Sequence, residues 1–562
     1  MSGENKTMNA TKSADKVIYG TIYIGDEDGT VAEAIAINGA NIVYVGSRDE
    51  AERYVGDCTE VTELDDGKFV MAGFVDGHTH IASFVAGLKS ACMLPDGKGA
   101  DEYVQLIREF VEAHPANQYY MAKGWITGAF GDKGPTKELL DDVSTDKPIF
   151  AQSGDGHSAW ANSKLIELAG ITAETADPTG GRIERNADGT PSGCFRDTAI
   201  DIVRNAIPKG DAESKKEGIL EAQKLYADLG YTEYFEAIAN DSTMPSLYPL
   251  IEAYEELDQA GKLPLYAQGA FLVNNTDDAL ELVDTAIRLK EETAGGNFEL
   301  TCVKIFMDGI IESSSAWLME PYANDPDNCG AARWSTEEDL KKLTQIIIKA
   351  NKGGMPVHFH TMGDAAVKTA VDCVERAYKE AGDVVLESRN AMTHLALLRE
   401  EDYKRFADLN IVAVVNPWTS KDPANFVEKE ELMYLGEERM NRQYPVKAFL
   451  DAGVMTAFGT DYGASFVFEP VNCYRVLVTR TTADMDPAHI LYAGQQLTPD
   501  EAIRAMTAGG AYQLFREDTY GTLEAGRKAS LIVLSKNLLK IENKDIPGTV
   551  VERTMSNGAW VK

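Results

Sequence analysis

The sequence predicts an α/β protein: a parallel (β/α)8 barrel of the TIM type, interrupted by an insertion after its first strand, with a small β-sandwich built from both chain ends. Three observations predict it. Eight short apolar runs recur along the middle of the chain, most of them separated by amphipathic helical patterns, which is the signature of a barrel with helical crossovers. Roughly 150 residues separate the first run from the second, although a βαβ unit needs only ~30 or somewhat more. Both ends of the chain alternate apolar and polar residues with period 2, broken by Gly and Asn, as antiparallel strands do.

Taken in order, residues 1–16, "MSGENKTMNATKSADK", lack an apolar core and read as a disordered leader, not a secretory signal. Residues 17–72 carry "VIYGTIYIG" and "AEAIAINGANIVYVG", the first part of the sandwich. Barrel strand one lies in 73–84, "GFVDGHTHI" and its continuation. Residues 85–205 are the insertion, with strand-like runs "NQYYMAKGWI" and "KPIFAQSG" but no signal for its fold. Residues 206–515 complete the barrel through "YTEYFEA", "PLYAQGAFL", "CVKIFMDG", "MPVHFH", "AMTHLA", "IVAVVNP" and "VMTAFGTD". Helical patterns such as "TEEDLKKLTQIIIKANKGG" lie between them. Residues 516–562, with "LIVLSKNLL" and "GTVVERTMSNGAWVK", return to the sandwich, since neither end alone is long enough for a stable sheet.

Composition narrows the function. A chain of 562 residues exceeds one ordinary core. Its net charge of −35 argues against nucleic-acid and anionic-membrane partners, which need clustered Lys and Arg. No apolar stretch approaches the ~20 residues of a membrane span. The seven cysteines are scattered and form no CxxC pair, which reads as reduced thiols in a cytoplasmic protein.

Only eight histidines are present, yet His78 and His80 stand one residue apart at the end of an apolar run. Strand alternation sends both imidazoles to one face, a geometry that suits a metal ion. Barrel active sites form at the C-terminal ends of strands, and four more polar residues lie at or within strand ends: Lys304, His360, His394 and Asp461. His360 and His394 are 34 residues apart, about one βα unit; His394 and Asp461 are 67 apart, about two; Lys304 and His360 are 56 apart, one longer unit. Imidazoles and a carboxylate on one rim suit zinc best, with Mn, Fe, Co or Ni as alternatives. A protonated Lys has only donors, so Lys304 fits the set as a carbamate formed with CO2, an anionic ligand able to bridge two cations. His358, two residues before His360, shares its face, and alternation alone does not separate them.

"GFVDGHTHI", "VKIFMDG", "HTMGDAAV", "THLALL" and "AFGTDYG", with "SGDGHSAWANSKL", "DPTGGRIERNADGTPSG" and "LTPDEAIRAMT", resemble the amidohydrolase superfamily, amidohydrolase family 3. The subgroup includes N-substituted formamide deformylase and many uncharacterised metal-dependent hydrolases. The resemblance implies two divalent ions. His78 and His80 hold the first, His360 and His394 the second, the Lys304 carbamate bridges, and Asp461 binds the first and shuttles protons. The following "GD" favours His360 over His358. Such a pair of ions lowers the pKa of a bridging water, hydroxide attacks a carbonyl, and Asp461 passes the proton to the leaving nitrogen. The implied reaction is hydrolysis of an amide-type C–N bond, in an N-formyl or N-acyl amine.

Departures from the family pattern bear on the substrate. "GIIESSSAW" carries Glu312 and no Arg, which argues against a substrate carboxylate there; strand two ends in Phe235-Glu236, Thr393 precedes the strand-six His, and "GWI" keeps Trp125. Trp125, His157, Glu312 and Asp308 are the candidate substrate contacts. A His157 turn and an Asp308 supporting role are the bland alternatives. Two other functions compete: a cyclic-amidine deaminase, disfavoured because no Glu follows His360 at the expected spacing and Lys304 is present, and a non-catalytic metal-binding regulatory relative, disfavoured by the intact ligand set. The expected partner is a small-molecule substrate, and a homodimer is the default expectation.

Overall fold

The computed structural model describes residues 13–562 apart from 96, 116, 132, 155–157, 179–180, 198, 208–211, 241–249, 312, 417–430, 465–467 and 482–489; the side chains of 86–90, 127, 197 and 212–214 are also outside the description. The apolar runs become barrel strands β1 (Phe74–Thr79), β2 (Tyr231–Asn240), β3 (Tyr266–Leu272), β4 (Phe298–Phe306), β5 (Val357–Thr361), β6 (Ala391–His394), β7 (Val412–Val415) and β8 (Thr456–Phe458). They pair in that order in one eight-stranded sheet. β1 and β2, and each successive pair from β3 to β8, run parallel.

The sheet comes back on itself where β8 ends. Asp461 N–H donates to His78 C=O at 2.7 Å, and His80 N–H donates to Tyr462 C=O at 2.9 Å. Gly459 permits this approach, because a Cβ there would lie 2.6 Å from His78 Cβ. The seam therefore puts the ends of the first and last strands, His78, His80 and Asp461, side by side. Inside the barrel Val75, Phe235, Ala237, Ala270, Cys302 and Leu514 form one apolar cluster.

Crossover helices follow their sequence cues. In Glu337–Lys352 the buried residues include Leu343, Ile346, Ile347 and Ala350, the i, i+3, i+4, i+7 stripe of a helix packed on one face. Its start is a capping box: Thr336 Oγ1 accepts from Asp339 N–H at 3.1 Å, and Asp339 accepts from Thr336 N–H at 3.1 Å.

Both termini do join one sheet. Strands Lys16–Tyr23, Val31–Asn38, Asn41–Gly46, Glu60–Glu63 and Phe69–Ala72 combine with Leu531–Leu534, Val551–Ser556 and Ala559–Trp560. Its far edge turns back toward the C-terminal part, since Ile42 N–H donates to Arg527 C=O and Ala529 N–H to Ala40 C=O, each at 2.8 Å. Ile18, Ile22, Ile35, Ile37, Val70, Leu531 and Val533 fill the interior. The pairing is not wholly antiparallel as expected: Lys16–Tyr23 runs parallel to both Glu60–Glu63 and Phe69–Ala72. The segment 47–59, with its short helix Arg48–Ala51, supplies the crossover such pairing requires.

The chain divides into two compact units: Met1–Ile81 with Gln223–Ala239 and Leu257–Lys562, and Ala82–Ala222 with Asn240–Glu256. The second unit has its own six-stranded sheet, made of Ala91–Met93, Tyr120–Trp125, Ile149–Ser153, Ser158–Ala161, Gly181–Arg185 and Pro191–Asp197. It has two apolar clusters, one around Phe150, Leu165 and Phe195 and the other around Tyr103, Trp125 and Trp160. All seven cysteines are free thiols. No helix among the described residues is long and apolar enough to cross a membrane.

Candidate metal centre

Barrel register gathers the candidate ligands at one end. His78 is the penultimate residue of β1 and His80 follows the strand; Lys304 lies on β4 beside His358 of β5, His360 pairs with Thr393, and His394 ends β6. Asp461 follows β8 by three residues. His394 and Asp461 leave their strands in left-handed backbone, at φ 73° and 55°, a conformation non-glycine residues adopt at a cost of about 1–3 kcal/mol each.

The distances are those of a metal cradle. His78 Nε2 lies 3.4 Å and His80 Nε2 3.5 Å from the same Asp461 oxygen, Oδ1. Both exceed the 2.7–3.2 Å of an N–H···O bond. A tetrahedral ion with bonds of about 2.0–2.1 Å spaces its ligand atoms by roughly 3.3 Å, so this donor set fits one ion among them. His78, His394 and Asp461 offer ligand atoms that all lie within 4.8 Å of one another. The His360 and His394 ring centroids are 4.4 Å apart.

His360 and His394 are oriented from behind. His360 Nδ1 meets Asp308 Oδ1 at 3.2 Å, and Asp308 also accepts from the backbone N–H groups of Trp317 at 2.9 Å, Met362 at 3.1 Å and Gly363 at 2.8 Å. His394 Nδ1 meets Asn416 Oδ1 at 3.0 Å; Asn416 Nδ2 donates to Gly459 C=O at 2.7 Å, which fixes the amide with its oxygen toward the ring. Holding Nδ1–H in this way leaves the lone pair on Nε2, the usual arrangement behind a ligating histidine.

Burial sets the charges. It is the largest cause holding the His78, His360 and His394 pKa values well below the ordinary imidazole value, with Lys304 a further cause for each. It brings His80 down to about 4 against the opposing pull of Asp461. These are neutral rings, the form that binds metal. Burial also lowers Lys304 to about 7, again opposed by Asp461. Its amine is therefore substantially unprotonated near neutrality, the form that adds CO2.

Of the candidate substrate contacts, Asp308 lies behind His360 and Trp125 lies in the second unit's core. Asp308 is fully buried, occupied by His360 and three backbone groups, with its pKa pushed up to about 7 by burial. Trp125 is fully buried in the second unit, its indole N–H bonded to Ala151 C=O at 3.0 Å and its ring edge-on to Phe130. His157 and Glu312 lie outside the described residues.

Sequence reasoning missed two supporting groups. Asp76 is buried and accepts from Tyr226 OH and Thr460 Oγ1, both at 2.6 Å, and from Thr460 N–H at 2.9 Å, which pins β1 to β8 beside the ligands. Extending the His78/His80 alternation two residues back would have found it. Asn416 is the first polar residue after the apolar run of β7, where the barrel rule places functional groups.

Residues 66–562 match the amidohydrolase family. The chain belongs to that family. This amidohydrolase is 27% identical to Protein LONG AFTER FAR-RED 3 of Arabidopsis thaliana over 95% of its own length and 89% of that protein. It is 26% identical to the N-substituted formamide deformylase of Arthrobacter pascens over 96% of its length and 97% of that enzyme. Its fold matches the crystal structure of an uncharacterised metal-dependent hydrolase from Pyrococcus horikoshii with a TM-score of 0.74 at 23% identity, covering 94% of this chain and 99% of that one.

Proposed function

We propose that this amidohydrolase cleaves an amide-type C–N bond of a small molecule, an N-formyl or N-acyl amine. The observation that carries the reading is the approach of two neutral imidazoles, His78 and His80, to one oxygen of Asp461 at 3.4 and 3.5 Å. His78, His80 and Asp461 would hold one divalent ion, His360 and His394 a second, and the Lys304 carbamate would bridge; zinc suits the donor set best, with Mn, Fe, Co or Ni as alternatives. When bound, the ions activate water and polarise the scissile carbonyl.

The protein's own groups do the rest. Asp461, beside His78 and His80, accepts the proton of the attacking water and returns it to the departing nitrogen. Asp308 and Asn416 keep His360 and His394 turned toward the reacting atoms. The formyl or acyl amide class is supported by the likeness to the formamide deformylase along nearly the whole chain. We further infer a cytoplasmic protein with no nucleic-acid or membrane partner, acting as a homodimer; seven free thiols and a charge of −35 support the first two points.

Elemental analysis of purified protein, followed by a screen of N-formyl and N-acyl amines on the same metallated sample, tests the reading. The expected result is two divalent ions per chain and turnover that releases a carboxylate and an amine. Metal loading without turnover of any amide would remove the substrate class, and ammonia release from amidines would replace it with deamination.

A further inference from the structure

His358 has no part in the ligand set, yet it is a fully buried polar residue in contact with it. It sits two residues before His360 on β5, level with Lys304 of β4, and so one pleat, roughly 6–7 Å, deeper in the barrel. Its Nε2 lies 2.8 Å from Nδ1 of His78. The two rings lie nearly parallel, centroids 4.9 Å apart at 26°. Phe235 of β2 also packs against it, centroids 4.9 Å apart. At 2.8 Å the two nitrogens are too close to be ligands of one zinc ion, which would separate them by roughly 3.3 Å. They are a hydrogen bond, and one of them is the donor.

Which one donates matters. If His358 Nε2 carried the proton, neutral His78 would be protonated on Nε2, the nitrogen that faces Asp461, and would have no lone pair there. If His78 Nδ1 donates, His78 Nε2 presents its lone pair toward Asp461. We propose that His358 is a positioning residue: it accepts the Nδ1 proton of His78, fixes that ring's tautomer and rotation, and so sets the affinity of the centre for its metal. Phe235 clamps the acceptor ring in turn. His358 thus does for His78 what Asp308 does for His360 and Asn416 for His394, with a neutral ring as the acceptor. The proposal rests on the reading of the centre given above, in which His78 binds metal through Nε2.

The test compares metal affinity across three variants, measured by competition for zinc with a chromophoric chelator and by the visible spectrum of the cobalt-loaded protein. His358→Gln keeps an acceptor near the Nε2 position. His358→Asn is too short to reach it, and His358→Leu removes it. We expect H358L and H358N to bind zinc about 10–100-fold more weakly than the unaltered protein, with altered cobalt bands. H358Q should stay within about threefold, and thermal unfolding of the three metal-free proteins should be alike. Equal zinc affinity in H358N and H358Q, with unaltered cobalt bands, overturns the role, and this pair decides the matter even if H358L does not fold. His78→Ala separates the two possible failures. If it loses zinc while the His358 variants do not, only the positioning role falls; if the unaltered protein binds neither zinc nor cobalt, the reading of the centre falls with it.

Discussion

The two sides of the centre are supported differently. On the His360 side the partner is a carboxylate, Asp308, which is itself held by three backbone N–H groups. On the His78 side the partner is a second imidazole, His358. A carboxylate behind a ligating histidine raises the basicity of the ligand more than a neutral ring does. The comparison teaches that histidines on one barrel rim can be held by different means: a buried carboxyl behind one, and close strand contact around the other, where Gly459, Thr460 and Asp76 bind β8 to β1.

Asp461 lies on the His78 side and is the proposed proton carrier, so its loss should have the largest effect. Asp461→Asn is expected to lower kcat by about 10²–10⁴-fold, measured by steady-state turnover of the best amide found. Next comes Asp308→Asn, expected to weaken the ion on the His360 side by about 10–100-fold while sparing the other. Metal titration would then show one tight and one weak equivalent; equal weakening of both would erase the distinction between the sides. Gly459→Ala should instead strike the seam. Its methyl would meet His78 Cβ at 2.6 Å, and overpacking of this kind costs about 1–3 kcal/mol, to be read from denaturant unfolding of the metal-free protein.

The smallest effect is expected from pH, and it sharpens the comparison. His80 has its pKa lowered to about 4, below the ordinary 6.5, so protons compete with metal only as the pH falls toward 4. Ring protonation should therefore not weaken the ion held by His78, His80 and Asp461 between roughly pH 8 and 5.5, where an ordinary imidazole would already be protonated. Lys304 has its pKa lowered to about 7; its neutral amine, and with it the carbamate, declines as the pH falls through 7. Losing the bridge should weaken both ions, the one beside His360 and His394 more because fewer other groups hold it, which elemental analysis after dialysis at the two pH values would detect.

Much of this was legible in the sequence. All eight barrel strands stand where apolar runs and spacing put them, because a buried parallel strand is nearly all apolar and its neighbours recur at βα intervals. His78, His80, His360, His394 and Asp461 come close together because the barrel brings strand ends together. Period-2 alternation places His358 and His360 on one face equally, and only the reach of each ring across the barrel assigns one to His78 and the other to Asp308. Alternation is also silent on strand direction, so the parallel pairing of Lys16–Tyr23 was not foreseen. Trp125 shows a further limit: an aromatic in a short motif reads as a pocket residue, but in the structure it fills the second unit's core. Asp76 was missed because its partners Tyr226 and Thr460 are 150 and 384 residues away.

The most direct measurement is a crystal structure of protein grown with zinc and bicarbonate, with an anomalous difference map at the zinc edge. The account predicts two peaks, one among His78, His80 and Asp461 and one beside His360 and His394, with carboxylate density on Lys304 between them. An empty map, or a Lys304 side chain directed away from the imidazoles, would contradict it.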